Sequence, residues 1–298
     1  MARPESDKNL LKKKKLVFSL LGSLAIIAFL VWFSLLFTKG EENKLTVDFL
    51  DVGQGDAILI QSPKGEILID GGQGKQVLEE IGRVMPFFDR KIELVILTHP
   101  DADHINGLVE VLKNYQVDEV IETGVMNDNK AYSEWQKLIK EKNIKDTIAQ
   151  KGDKIDLGEG IELDFLWPED DFKGKKIANI NDTSVVNMLD WGETEIILTG
   201  DAEVKTLDKI AGENQGIDIE ILKQPHHGSK NGISQKFLDS FKPEVSIISV
   251  GAKNRYGHPD QDTLDILGKL GIKIYRTDLQ GTIKTIIDKD NYQIETER

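Results

Sequence analysis

The apolar positions of this chain fall into three regimes. Leu16 to Phe37 is uncharged and almost wholly apolar; as a helix rising about 1.5 Å per residue it covers roughly 33 Å, enough to cross a bilayer. From Leu45 the pattern becomes short apolar runs, Leu45 to Leu50, Ala57 to Gln61 and Ile67 to Ile69, parted by turns at Gly53-Gln54-Gly55-Asp56 and Pro63-Lys64-Gly65. These predict a meander of hairpins. In the third regime strands and helices alternate. A strand at Leu94 to Leu97 lies between helical patterns at Gln76 to Arg83 and Ile105 to Leu112, and a strand at Val120 to Thr123 precedes a helix at Ala131 to Lys142.

Hairpins and then alternation occur a second time. Gly152 to Trp167 carries hairpin signals, Asn181 to Leu189 and Glu195 to Leu198 read as a strand pair, and a helix follows from Ala202 to Ile210. Strands at Ile219 to Leu222 and Val245 to Val250 alternate with helices at Ser234 to Phe241 and Thr263 to Leu270, and strands at Lys273 to Arg276 and Thr282 to Ile287 close the chain. This order predicts two sheets sandwiched between helices rather than one parallel sheet.

Charge divides the chain where the long apolar run ends. Residues 1–39 hold seven of the 38 basic residues and two of the 51 acidic ones, so residues 40–298 carry 31 bases against 49 acids, a net of −18. Lys12 to Lys15 directly precede the apolar run, which under the positive-inside rule keeps the N-terminus in the cytoplasm. The run is longer than a signal-peptide core, and Ser34 to Thr38 lacks a small-x-small cleavage site, so an uncleaved anchor is expected. The expected organisation is a cytoplasmic basic tail (1–15), one transmembrane anchor (16–37), a linker (38–44) and an extracytoplasmic domain (45–298). An acidic surface repels phosphate backbones at long range, so a nucleic-acid substrate needs a local basic patch or bound cations to draw it in. The chain has no cysteine, which leaves His, Asp, Glu and Asn to hold any metal.

Metal-ligating residue types concentrate in Thr98 to His104, which reads THPDADH. His99, Asp101, Asp103 and His104 offer four ligands within six residues, on a loop between a predicted strand and a predicted helix. The plainer reading, a polar loop with Asp103 capping the helix, leaves unexplained why ligand types recur at later strand ends: Asp70 before, then Asp201, then His226 and His227. If these ends share one edge, they build a two-metal cluster with Asp201 as bridging carboxylate. Asp70 is expected behind the metal loop as a hydrogen-bond acceptor rather than as a ligand. Gly71 to Lys75 (GGQGK) lacks both the spacing and the hydroxyl residue of a phosphate-binding loop.

THPDADH, with LIDGG (Leu68 to Gly72), LTGD (Leu198 to Asp201) and HHGS (His226 to Ser229), resembles the metallo-β-lactamase superfamily. More narrowly, FLDVGQGDAILI (Phe49 to Ile60), NDTSVV (Asn181 to Val186), HHGS and NRYGHP (Asn254 to Pro259) resemble the hydrolase domain of ComEC-type DNA-uptake competence proteins, over about Leu45 to Ile287. The resemblance implies an α/β fold, an αββα four-layer metallo-β-lactamase-like sandwich, here preceded by one transmembrane helix. It also implies two divalent ions, Zn2+ or Mn2+, with Mg2+ admitted because Asp101 stands where the superfamily usually has His and makes the site harder. Carried over by position, His99 and Asp101 hold one metal, Asp103 and His104 the other, Asp201 bridges, and His226 completes the second site with His227 a ligand or a donor behind it. Asn181 falls where many relatives place a further His, which weakens the first site.

The activity implied is hydrolysis of a phosphodiester, DNA among the candidates, by water that the cations acidify. Asp103 would orient that water, and His258 or His227 would protonate the leaving oxygen. Asn254, Arg255, Tyr256 and Ser229 are the expected substrate contacts, with capping as the alternative for Ser229. The multi-pass channel that accompanies this domain in full competence proteins is not part of the pattern, and no protein partner is indicated. Alternatives are a hydrolase of small-molecule or cell-envelope phosphoesters, which the acidic balance favours, and a non-catalytic binding module.

Overall fold

The computed structural model describes the backbone of residues 5–38 and 44–298, and the side chains of 13–33 and 44–298. The chain divides into two compact units between Asn43 and Lys44. Among its described residues the first contains one helix, α1 (Glu5–Thr38), whose segment Lys13–Phe33 has a mean hydropathy of 2.5 and is long and apolar enough to cross a membrane. Residues 5–15 of the basic tail are helical and continuous with it. Most of the expected linker, residues 39–43, lies outside the described residues.

In the second unit β1 (Leu45–Phe49), β2 (Ile58–Ser62) and β3 (Gly65–Ile69) form the antiparallel meander that the glycine turns predict. Next come α2 (Gln76–Val84), β4 (Lys91–Leu97), α3 (Ala102–Asn114), β5 (Gln116–Glu122), α4 (Lys130–Lys142) and β6 (Lys145–Ile148). Here β3 to β6 run parallel. Asn129 caps α4, its Oδ1 accepting from Tyr132 N at 2.7 Å, and Asn143 closes the helix in the left-handed conformation.

The second half repeats the scheme. β7 (Lys154–Gly158), β8 (Ile161–Trp167), β9 (Val186–Trp191) and β10 (Thr194–Leu198) are antiparallel. α5 (Val204–Glu213), β11 (Ile221–Lys223), α6 (Gln235–Phe241), β12 (Val245–Ile248), α7 (Gln261–Lys269) and β13 (Lys273–Arg276) follow, with β10 to β13 parallel. After the short α8 (Thr277–Gln280) the chain returns to the first sheet as β14 (Ile283–Ile287), antiparallel to β1, with β15 (Tyr292–Thr296) on its edge.

Strand periodicity sorts apolar side chains between layers. Val47, Phe49, Ile58 and Ile60 of the first sheet meet Phe165, Leu189, Ile196 and Ile247 of the second. On the outer face of the first sheet Leu59, Val95 and Val120 pack with Leu108 and Leu112 of α3 and Trp135 of α4. On the outer face of the second, Ile197 and Leu222 pack with Leu207, Phe237 and Leu267 of α5, α6 and α7. Three cores in series make the expected αββα sandwich.

Several elements differ from the sequence reading, β6 and α8 among those it lacks. Asn181 lies on a helical turn, Ile180–Thr183, and the strand starts only at Val186; Thr183 Oγ1 donates to Ile180 O (2.6 Å) and Trp167 Nε1 to Asp182 O (2.8 Å), local bonds that outcompete the ladder. β15 is an additional strand, half exposed on an edge and therefore without a continuous apolar run.

Candidate metal centre

The ligand types converge on one rim, at the C-terminal ends of β3, β4, β10 and β11. β4 delivers His99, and Asp101 occupies the N-cap position of α3 with Asp103 in the first turn. Glycine makes this loop fit its neighbours. Gly71 N donates to His104 O (2.9 Å) and Gly107 N to Gly72 O (3.0 Å), and a Cβ on Gly107 would stand 1.7 Å from Gly71 O. Likewise a Cβ on Gly55, at φ +111, would stand 1.9 Å from Asp103 O. The turns after β1 and β3 thus press directly on the metal loop.

Asp201, after β10, is the centre. Its Oδ2 lies 3.4 Å from His104 Nε2, 3.5 Å from His227 Nε2, 3.7 Å from His226 Nε2 and 4.0 Å from His99 Nε2. Ligand atoms of His99, His104 and Asp201 fall within 4.8 Å of one another, and so do those of Asp103, His104 and His227. Asp101, with its side chain 42 % exposed, stands 3.7 Å from His99 Nε2 at the outer side of the cluster.

The donor set suits cations. Nε2 of His99, His104 and His227 and Oδ1 of Asp201 are buried without a hydrogen-bond partner, an arrangement that costs free energy unless something electrophilic fills it. The other ring nitrogen of each His is engaged. Asp70 Oδ2 accepts from His104 Nδ1 (2.7 Å) and from Thr98 Oγ1 (2.6 Å), and Asp70 Oδ1 accepts from Thr98 N (2.9 Å). Having donated to Asp70, the Thr98 hydroxyl accepts from His99 Nδ1 at 3.0 Å; His227 Nδ1 donates to Ser249 O at 2.9 Å. In its neutral form each imidazole is thereby held in the tautomer that presents the Nε2 lone pair to the cluster. Asp70 thus accepts from Thr98 and His104 within the loop.

Proximity sets the charges. Burial penalises the ionised Asp201, but His227 and His104 outweigh it and hold the carboxyl well below its ordinary range. Asp103 is lowered in the same way, burial being offset by His227, whose Nε2 stands 3.5 Å away, and by the charge of His104. Conversely, burial opposes protonation of His104 and His227, yet Asp201 with Asp70 raises the first well above its usual value and Asp201 with Asp56 and Asp103 pushes the second up to about 10. Burial lowers His226 and His258.

Several assignments change. His227, not His226, belongs to the tight ligand group: both have left-handed backbone, φ 48 at His226 and 54 at His227, and successive side chains diverge. His226, 21 % exposed, turns toward Glu203 Oε1 (3.6 Å) and Asn181 Nδ2 (3.4 Å). His227 is buried, with Nδ1 donating to Ser249 O and Nε2 3.5 Å from both Asp103 Oδ2 and Asp201 Oδ2, which reserves Nε2 for the cluster rather than for a leaving group. Ser229 Oγ accepts from Asn231 N and caps the next turn rather than facing a ligand. Asn254 spends its amide inside its own loop, donating to Gly251 O (2.9 Å) and His258 O (2.7 Å) and accepting from Tyr256 N and His258 N. Arg255 and Tyr256 stay exposed and line a cleft of about 420 Å³ with Gln54, Gln73 and Lys253. The His258 ring stacks on Tyr256 and stands 5.7 Å from that of His226.

The sequence reading missed Lys223, Glu203 and Ser184. Lys223 is fully buried, pairs with Asp56 and donates to Gly200 O at 3.1 Å. A lysine two residues before Pro225-His226-His227 carries no local sign of burial beyond its place in an apolar strand.

Fold and site together define a two-sheet αββα protein with a His/Asp cluster on its rim that could hold cations. A model of the metallo-beta-lactamase superfamily matches residues 50–252, and the chain belongs to that superfamily. Within it the chain is similar to ComE operon protein 3 of Bacillus subtilis (32 % identity over 257 residues, 80 % of this chain and 32 % of the relative). It is also similar to Recombination protein 2 of Haemophilus influenzae (29 % identity; 89 % and 32 %) and Competence protein ComA of Neisseria gonorrhoeae (26 %; 82 % and 32 %). It spans about a third of the length of these curated relatives. Among solved structures, the metallo-beta-lactamase fold protein YhfI of B. subtilis (TM-score 0.53, 14 % identity, 84 % of this chain and 100 % of that one) shares the fold. So does CmlA, a diiron beta-hydroxylase of Streptomyces venezuelae (TM-score 0.53, 12 % identity; 83 % and 54 %).

Proposed function

We propose that this chain is a membrane-anchored, extracytoplasmic phosphodiesterase that uses two divalent cations, Zn2+ or Mn2+, and acts on DNA. The observation that carries the reading is the Asp201 carboxylate, which stands within 4.0 Å of four imidazole Nε2 atoms, the placement a bridging ligand needs. His99, Asp101, Asp103, His104, Asp201 and His227 would hold the pair. Bound there, the cations supply Lewis acidity that acidifies water and neutralises charge on the phosphoryl group.

The remaining work falls to side chains. Asp103, kept ionised by its histidine neighbours, orients the attacking water. Arg255 and Lys253 on the cleft rim bind phosphate oxygens. His258, with Asp260 Oδ2 3.4 Å from its Nδ1, delivers the proton to the leaving oxygen. Relatives named for competence and recombination support DNA as substrate. The net charge of −18 over residues 40–298 supports a second reading, hydrolysis of small or cell-envelope phosphoesters.

The 44–298 unit contains all three cores and serves as the test protein. Incubation with single-stranded DNA and with bis-p-nitrophenyl phosphate, each with Mn2+ or Zn2+, is expected to cleave both. Cleavage of the small ester alone removes DNA in favour of the second reading; cleavage of neither overturns the hydrolase.

A further inference from the structure

Among the described residues the two most exposed large apolar side chains are neighbours, Phe87 (89 %) and Phe88 (87 %). Single exposed apolar residues are ordinary, but two at a loop tip form a contact surface without a contact. The loop between α2 and β4 is well braced. Asp89 N donates to Pro86 O (2.8 Å), Gln116 N to Arg90 O (2.9 Å), and Arg90 Nη1 to the Tyr115 hydroxyl (3.0 Å). Both rings are therefore presented by a defined turn.

Beside the turn lies a cleft of about 430 Å³ lined by Lys113, Tyr115, Lys142 and Ile144 among others. Arg90 in the turn itself bonds to the Tyr115 that lines the cleft, and the cleft adds Lys113 and Lys142, on a unit whose overall charge is strongly negative. Lys113 shares its charge with Glu110 at 2.9 Å. Aromatic tips flanked by Lys and Arg suit a lipid-water interface, where rings enter the headgroup layer and cations meet lipid phosphates.

Strand register locates this face. Thr46 pairs with Gln61, Ser62 with Gly65, Ile67 with Leu94, and Lys91 with Gln116. Leu45, Lys91 and Gln116 accordingly share one end of the first sheet, while Asp70 and His99 leave from the other, roughly 20 Å away along β4. The Phe87–Phe88 turn thus sits at the end where the polypeptide enters the domain. The eight steps of chain from Phe37 to Leu45 reach at most about 28 Å.

We infer that the Phe87–Phe88 tip and the cationic cleft beside it dock on an anionic phospholipid bilayer. This rests on the anchoring reading above.

The absence of cysteine permits a clean test. The full chain carrying Phe88→Cys, labelled with a nitroxide, is placed in nanodiscs of phosphatidylcholine and phosphatidylglycerol. Collisional relaxation by oxygen is compared with that by a water-soluble nickel chelate. The label at 88 is expected to favour oxygen several-fold over a label at exposed Ala252→Cys, and Phe87→Cys is expected to behave like 88. Equal chelate access at 88 and 252 overturns the docking face, and dipolar broadening between labels at 88 overturns it in favour of contact with a second copy. Carbonate extraction reports the anchor separately. Release of the chain sinks the anchoring reading and the docking with it; retention with a water-exposed label at 88 sinks the docking alone.

Discussion

Lys223 and Asp56 form an ion pair beneath His227, with side chains only 0 % and 2 % exposed. Lys223 also donates to Gly200 O beside Asp201, and Asp56 Oδ1 lies 3.3 Å from His227 Nδ1. The pair therefore ties two ligand-bearing turns together. Removing one partner leaves a buried charge without compensation, so Lys223→Met is expected to cost about 3–5 kcal/mol. The double variant Lys223→Met with Asp56→Asn is expected to cost clearly less than the sum of the singles. Urea unfolding of the four proteins measures the coupling, and strictly additive losses would contradict it.

The two adjacent histidines are expected to separate in metal binding. His227→Ala removes a member of the tight ligand group, so dialysed protein should retain about one Mn2+ or Zn2+ where the parent retains two. His226→Ala should keep both. Asp201→Asn weakens both sites and lowers kcat by about a thousandfold or more, the scale expected when charge stabilisation at the reacting centre is lost. Metal content by mass spectrometry decides, and equal retention by the two His variants would return His226 to the ligand set.

Metal uptake should release protons. With His104 raised well above its usual value and His227 at about 10, both are protonated at neutral pH until a cation displaces the proton from Nε2. Affinity must then rise with pH through the range from 6 to 8, approaching tenfold per unit for each proton released. Calorimetric titration in buffers of different ionisation enthalpy counts these protons; a pH-independent affinity would be incompatible with the charges described.

Stability has its own pH dependence at Glu122, a buried carboxyl far from the cluster in sequence. It accepts from Trp135 Nε1 (2.9 Å) and Gln136 Nε2 (2.7 Å). Burial, with Asp146 adding repulsion, pushes it up to about 7 from 4.5. Between those values the folded protein binds a proton that the unfolded chain does not, so stability falls as pH rises through the window and is lowest above it. At about 1.4 kcal/mol per unit the effect amounts to a few kcal/mol. Glu122→Gln is expected to raise the melting temperature at pH 8 and to leave it nearly unchanged at pH 4. A loss at pH 8 would show that the carboxylate is better accommodated than its burial implies.

Much of the fold was legible because it depends on neighbours in the chain. The meander, the alternating elements and both helical layers follow from apolar spacing, and THPDADH concentrates four ligands in one turn. β15 was illegible because an edge strand buries too little to show a pattern. Asn254 and Ser229 misled for another reason: their side chains can serve a substrate or the local backbone equally well, and here the backbone takes them.

By itself, then, the order of residues determined the layered α/β architecture, the family, the long apolar segment and the kinds of atoms available to bind cations. Only the tertiary structure decided that Asp201 faces four imidazoles, that His227 rather than His226 falls in the tight group of ligand atoms, and that Lys223 neutralises Asp56 out of reach of water. Spacing governs what lies within a turn or two. Groups more than a hundred residues apart meet only through sheet register and close backbone packing, which nearest neighbours in the chain do not encode.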